Sequence, residues 1–223
     1  MTKRTHRPRV SRERVLETAL ALVDRDGLEG LSMRKLGADL QIEAMTLYYY
    51  FPNKGAILDG LIERMTLSSL EGITDRPVAW QDWLRVLAIA FRRELLLHPR
   101  LVPLIATRPV LTPTSMLAVE KMVDVLCTAG FSPLRAFQVL NIVTTFVVGH
   151  TLAEAGDTPG HEDAAPDLAG LGDQINPDEL PHFSQAILHG LGQPSEHEAR
   201  FNLALDVLVT GLTVVCSGEL GQV

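Results

Sequence analysis

The sequence predicts an all-α protein in two parts: an N-terminal three-helix domain containing a helix-turn-helix, and a larger helical domain behind it. Three observations carry that reading. Apolar residues recur at the three- and four-residue spacing of amphipathic helices through most of the 223 residues. The periodic stretches open on capping residues, namely Ser11, Ser32, Asn53, Thr112 with Pro113, Ser132 with Pro133, and Ser195 with Glu198, and most of them stop at glycine or proline. Finally, Tyr48, Tyr49 and Tyr50, the three tyrosines of the chain, stand side by side on one short helix.

Residues 1–10 are basic and proline-interrupted and read as a flexible arm. Ser11 caps a first helix in which Val15, Leu16, Ala19, Leu20, Leu22 and Val23 repeat until Asp26 and Gly27 stop it. Ser32 starts a second helix, whose stripe of Met33, Leu36 and Leu40 is too short to stand alone in water. Gln41 and Ile42 make a turn, and a third helix follows over 43–50. With Leu47 and Phe51 facing inward beside Ile42, Ala44, Met45, Tyr48 and Tyr49 project outward. Three adjacent tyrosines cannot share one helix face, so at least one lies in solvent, and an exposed aromatic cluster beside basic residues calls for a partner. Pro52 ends this helix, and Asn53 caps a fourth over 54–70 with Ile57, Leu58, Leu61, Ile62, Met65 and Leu70 as its apolar positions. This order is a helix-turn-helix inside a three-helix domain, placed at 1–60, with 61–223 as the second domain.

In the second domain a connector over 71–78 leads to a helix over 79–98 carrying Trp80, Trp83, Leu84, Leu87, Phe91, Leu95 and Leu96. A short helix over 98–106 ends at the corner Thr107, Arg108, Pro109; the next runs from Pro113 to the stop at Gly130. The helix from Pro133 to about residue 155 is apolar around most of its circumference, and the last helix, with Phe201, Leu205, Val207, Leu208, Leu212 and Val215, has the same character. Such surfaces must be buried, either as the core of one chain or in a symmetric four-helix interface, and a homodimer is expected. Between them, 156–180 is rich in glycine, proline and aspartate, with seven acids and no base, and reads as a mobile acidic loop.

Bulk properties bound the function. A hydrophobic content of 46% can cover a real core and excludes disorder as the global state. Cys127 and Cys216 show no metal-ligand spacing and read as reduced core residues, so no metal or cofactor is expected. No stretch reaches the roughly 20 uninterrupted apolar residues of a membrane span, and no apolar run follows the charged N-terminus, so a soluble cytoplasmic protein is expected. The net charge of -7 hides an asymmetry. Lys3, Arg4, Arg7, Arg9, Arg12 and Arg14 against Glu13 alone give the first 14 residues a charge of +5, whereas 136–199 holds no Lys or Arg. One end is built for an anion, although a basic N-terminus also serves as a solvated tail.

The run LSMRKLGADLQIEAMTLYYYFPNKGAIL, residues 31–58, resembles the N-terminal signature of the TetR/AcrR family of transcriptional regulators. That signature closes the recognition helix with Thr-Leu-Tyr-x-His/Tyr-Phe-x-x-Lys, and Thr46, Leu47, Tyr48, Tyr50, Phe51 and Lys54 match it in register. Two positions depart from it: Gln41 stands where the turn usually has glycine, and Gly37 where the second helix usually has alanine. Gln41 is therefore expected in a left-handed conformation costing about 1 kcal/mol. The resemblance implies that Arg34, Tyr48 and Lys54 bind DNA phosphate, while Ala44, Met45, Thr46 and Tyr49 face base edges and thymine methyls. With no Arg, Asn or Gln on the exposed face of the third helix, direct readout of guanine should be weak, and the arm and DNA shape would supply the difference.

The stretch from Thr107 through Gly130 and Phe131 to about Glu154 resembles the C-terminal domain of the tetracycline repressors. The resemblance implies a drug pocket that uses a His and a Gln, but Leu104 and Met122 occupy the nearest positions, so magnesium-tetracycline chemistry is not implied. A more apolar pocket is expected, walled by Trp83, Phe91, Leu104, Met116, Met122 and Phe146, with polar contacts from Thr107, Asn141, Thr145 and His150.

The seven histidines are scattered and no Ser or Cys sits in a nucleophile context, so no catalytic residue is assigned and no enzyme is expected. The expected function is that of a ligand-responsive transcriptional regulator, a repressor that binds a pseudo-palindromic double-stranded DNA operator as a homodimer. A small, largely apolar effector would release it by shifting the fourth helix. The alternative is a helical small-molecule-binding protein or enzyme without a DNA role.

Overall fold

A computed structural model describes residues 10–73, 79–109, 112–155 and 175–220. The basic arm, apart from Val10, and the acidic loop, apart from 175–180, lie outside the described residues. Those described contain helices and turns and no strand. The first four helices are α1 (Arg12–Gly30), α2 (Met33–Asp39), α3 (Ala44–Leu47) and α4 (Lys54–Leu70). Each cap read from the sequence closes on its amide: Ser11 Oγ accepts from Arg14 N at 3.2 Å, Ser32 Oγ from Lys35 N at 3.2 Å, and Asn53 Oδ1 from Ala56 N at 2.9 Å.

The stop expected at Gly27 is a kink. Gly27 sits at φ 73°, and one further turn carries the chain to Leu31, which is buried. Gln41 takes the left-handed conformation at φ 57°. Gly37 lets the turn lie close against α2: Ile42 N donates to its carbonyl at 2.9 Å, and a Cβ there would stand 3.0 Å from Ile42 O. The third helix is shorter than the expected 43–50. Tyr49 and Tyr50 donate to Thr46 and Leu47, three residues back, so the last turn tightens into 3-10 geometry. Pro52 is the cause, because it disfavours helical dihedrals at Phe51 and offers no amide to continue the ladder.

The body comprises α5 (Trp80–Leu97), a 3-10 turn (Pro99–Leu101), α6 (Val102–Thr107), α7 (Pro113–Thr128), α8 (Pro133–Ala155), α9 (Pro181–Leu188) and α10 (Pro194–Leu220). The single short helix expected over 98–106 is split because Pro103 supplies no amide, which leaves the 3-10 turn before α6. Thr112 caps α7, and Gly130 ends it at φ 100°. The helix α4 belongs to both parts: it packs on α1 at one side and on α5 and α7 at the other. Buried Trp83, Leu84, Leu87, Leu126, Val139 and Val143 join α5, α7 and α8 in the body core.

Both long helices bury only one face within the chain. Val139, Val143 and Val147 on α8, with Phe201, Leu205 and Val209 on α10, are buried, whereas Leu134, Phe137, Leu203, Val207 and Val214 are exposed. These two helices also have the length and apolar composition of a membrane span, which the reading by uninterrupted runs did not anticipate. A helix that buries one apolar face in its own core and offers another to a second subunit has the same composition.

Candidate nucleic-acid interface and effector cavity

The outward face of α3 is set by two anchors. Leu47 and Phe51 are fully buried, so the opposite side of α3 is forced outward. Met45 is 74% exposed, Tyr48 46% and Tyr49 88%, and Thr46 is exposed beside them. Ala44 is half-buried where α3 meets α2. This leaves an apolar and aromatic surface in water on a four-residue helix. Arg34, in the first turn of α2, is exposed. Lys54 opens α4, and its Nζ donates to the carbonyl of Leu28 at 3.2 Å, which ties α4 to the end of α1.

The third tyrosine has a structural task. Tyr50 is half-buried, its hydroxyl donates to Val10 O at 2.9 Å, and its ring meets Tyr49 edge-on. Val10 is thereby held beside α3. Arg12 escaped the sequence reading: its guanidinium lies 4.2 Å from the centre of the Phe51 ring and donates to Tyr50 O at 3.2 Å. It was legible only as one charge of a basic run, because its partners are 38 or more residues away.

An open cleft of about 440 Å³ lies between α5, the end of α6 and α8. It collects Phe91, Thr107, Asn141 and Thr145 of the expected pocket residues, together with Ile105, Arg108, Thr144 and Leu152. The other six lie elsewhere. Trp83 and Met122 are in the core, with no acceptor for the Trp83 indole N–H among the described residues. Leu104 is half-buried against that core, and Met116 is exposed on α7. Phe146 and His150 turn toward α10, where both rings pack on Phe201 at 5.4 and 5.2 Å. A larger hollow, about 730 Å³, separates the exposed faces of α8 and α10 near Phe137, Ile142 and Val215.

Burial pushes the His150 imidazole below its ordinary value, against the pull of Glu154 and the His197 carbonyl. The unfolded chain therefore takes up this proton first, and His150 withdraws stability as pH falls below about 6.5. His150→Phe is expected to flatten the loss of melting temperature between pH 7 and pH 5 relative to the parent chain, as read by circular dichroism.

Residues 15–61 match the family described as "Bacterial regulatory proteins, tetR family", and residues 75–216 match "Tetracyclin repressor-like, C-terminal domain". The chain belongs to the TetR family. It is 36% identical over 148 residues to the class E tetracycline repressor protein of Escherichia coli, covering 66% of this chain and 69% of that one. Its fold matches that of a possible TetR family transcriptional regulator from Streptomyces coelicolor A3(2), with a TM-score of 0.74, 29% identity and coverage of 92% and 100%. ActR of Streptomyces coelicolor in complex with actinorhodin matches with a TM-score of 0.71, 25% identity and coverage of 92% and 98%. Members of the TetR family bind operator DNA as dimers and respond to small molecules, and this chain is a ligand-responsive DNA-binding transcriptional regulator.

In this TetR-family chain the end of α6 and the start of α7 are tied to α4 by two contacts one helical turn apart on that helix. Arg108 Nε donates to Asp59 Oδ1 at 2.7 Å, and Thr112 Oγ1 donates to Glu63. The carboxylate raises the pKa of the Arg108 guanidinium, mainly through the hydrogen bond. The α6–α7 connection, which begins at the cleft, is thus clipped to the helix that follows α3. A further contact joins the parts at α1, where His98 Nδ1 lies 2.9 Å from Asp24 Oδ2.

Proposed function

We propose that the chain is a cytoplasmic repressor that binds a pseudo-palindromic operator as a homodimer and leaves it when a small, largely apolar effector enters the cleft. The observation that carries this reading is the outward face of α3, which is rigidly mounted on Leu47 and Phe51 and continuous, through Pro52 and Asn53, with α4. Tyr48, Arg34 and Lys54 serve phosphate, while Ala44, Met45, Thr46 and Tyr49 face the bases; cations and hydroxyl donors suit phosphate, and small apolar groups suit the thymine methyl. Phe91, Thr107, Asn141 and Thr145 supply the first effector contacts. Movement of the connection at Arg108 and Thr112 is passed to α4 and alters the spacing of two α3 helices, for which a coupling of about 1 to 3 kcal/mol suffices.

Tyr48→Ala is expected to weaken binding to every DNA sequence by a similar factor of roughly five to ten, the worth of about one phosphate hydrogen bond. Thr46→Val is expected to change base preference while leaving nonspecific affinity within about twofold. Fluorescence anisotropy on specific and scrambled duplexes separates the two, and unchanged affinity in both variants would remove α3 as the reader.

A further inference from the structure

Among the described residues that line the cleft, Arg108 is the charged one; its neighbours there are aliphatic, aromatic, hydroxyl or amide groups. Its guanidinium is held from outside the cleft, by Asp59 at 2.7 Å and by the Gly55 carbonyl at 3.4 Å, both on α4. We propose that the effector carries an organic acid group on an apolar skeleton, and that this anion takes Arg108 from Asp59 and so opens the tie between the cleft and the DNA-reading part. The inference rests on the reading of the cleft as the effector site.

The charges favour such an exchange. A guanidinium offers five N–H donors in a planar fork, and Asp59 engages one of them, so an incoming carboxylate or sulfonate can be met in the bidentate geometry that Arg prefers. The Arg108–Asp59 pair is partly solvated, with the side chains 39% and 31% exposed, and pairs of that kind hold weakly. An anion seated against Phe91 can face the guanidinium squarely while its apolar skeleton covers the ring and adds burial to the charge contact. Asp59, once released, still faces water, so no carboxylate is left buried without a partner. A neutral ligand resting on Asn141 and Thr145 would have no such effect on the pair. The anion thereby discriminates between the tied and untied states, which a ligand must do to shift an equilibrium between them.

Two dyes that differ by one sulfonate test this on the full-length chain: 1-anilinonaphthalene-8-sulfonate and its neutral parent N-phenyl-1-naphthylamine, both of which brighten in apolar sites. The sulfonate is expected to bind about tenfold more tightly than the parent, the ratio that one charge-assisted hydrogen bond of ordinary strength gives. Arg108→Gln should bring the two affinities together. Asp59→Asn should tighten the sulfonate severalfold and leave the neutral dye unchanged, because the competitor for Arg108 is gone. Thr145→Trp, which fills the cleft, should abolish both. Equal affinity of the two dyes, a preference that survives Arg108→Gln, or no response to Asp59→Asn would overturn the acid inference while leaving the cleft as the effector site. Binding of neither dye, or binding that survives Thr145→Trp, would remove that site as well.

Discussion

Replacing Val207 with Asp will convert the protein to a monomer and lower its operator affinity by about two to four orders of magnitude, the range lost when two linked half-site contacts become independent. Val207 is 64% exposed in the single chain and stands on α10 in a stripe with Leu203, Thr210 and Val214 at spacings of four, three and four residues. That is one face of a helix, and it carries no charge. In a two-fold interface every substitution is present twice, so the variant introduces two carboxylates into one apolar contact. Within its own chain Val207 supports little, and the stability of the isolated monomer should change by less than about 0.5 kcal/mol. Sedimentation velocity reports the mass, and anisotropy on an operator duplex reports the affinity. A dimer that survived the change would show that the exposed α10 stripe is not the subunit interface.

The second large effect is Phe51→Ala, which should destabilise the N-terminal domain by about 3 to 5 kcal/mol. Phe51 is fully buried, Arg12 lies over its ring, and the ring approaches α4 so closely that a Cβ on Gly60 would meet it at 3.4 Å. Truncation leaves a cavity where α1, α3 and α4 converge and removes the inward anchor that turns Tyr48 and Tyr49 outward. Urea titration followed by circular dichroism should give a lower or separate midpoint for this part. DNA binding should fail before the rest of the chain unfolds, because Phe51 anchors α3 directly, whereas Trp83, Leu126 and Val139 lie on α5, α7 and α8.

What could be read from the sequence was local. The caps at Ser11, Ser32, Asn53 and Thr112 depend on residues three positions away, and each closes as the spacing predicts. The left-handed Gln41 was legible only through the resemblance, as the residue standing where the family's turn has glycine, and it is present at φ 57°. The third helix was read too long because Pro52 acts backwards on the turn before it. The excess apolar surface of α8 and α10 was legible, and part of it is exposed in the single chain. The cleft was legible only in part. Phe91, Thr107, Asn141 and Thr145 converge there, but periodicity does not say which apolar side of a buried helix meets a cavity and which meets its neighbour, so Trp83 and Met122 were included with it although they lie in the core. Phe146 and His150 turn to Phe201, some 50 residues away, and Arg108 to Asp59 across 49 residues. Pairings at that range depend on how α4, α8 and α10 cross, which no local pattern encodes.

The central claim is that two copies of α3 read DNA together. Selection of bound fragments from a random duplex pool by the purified full-length protein tests it most directly. The account predicts an enriched pseudo-palindrome whose half-sites are centred about 34 to 36 Å apart along one face of the duplex, rich in A·T pairs where Met45 and Thr46 meet thymine methyls. Recovery of no enriched sequence, or of a single half-site without two-fold symmetry, would contradict it.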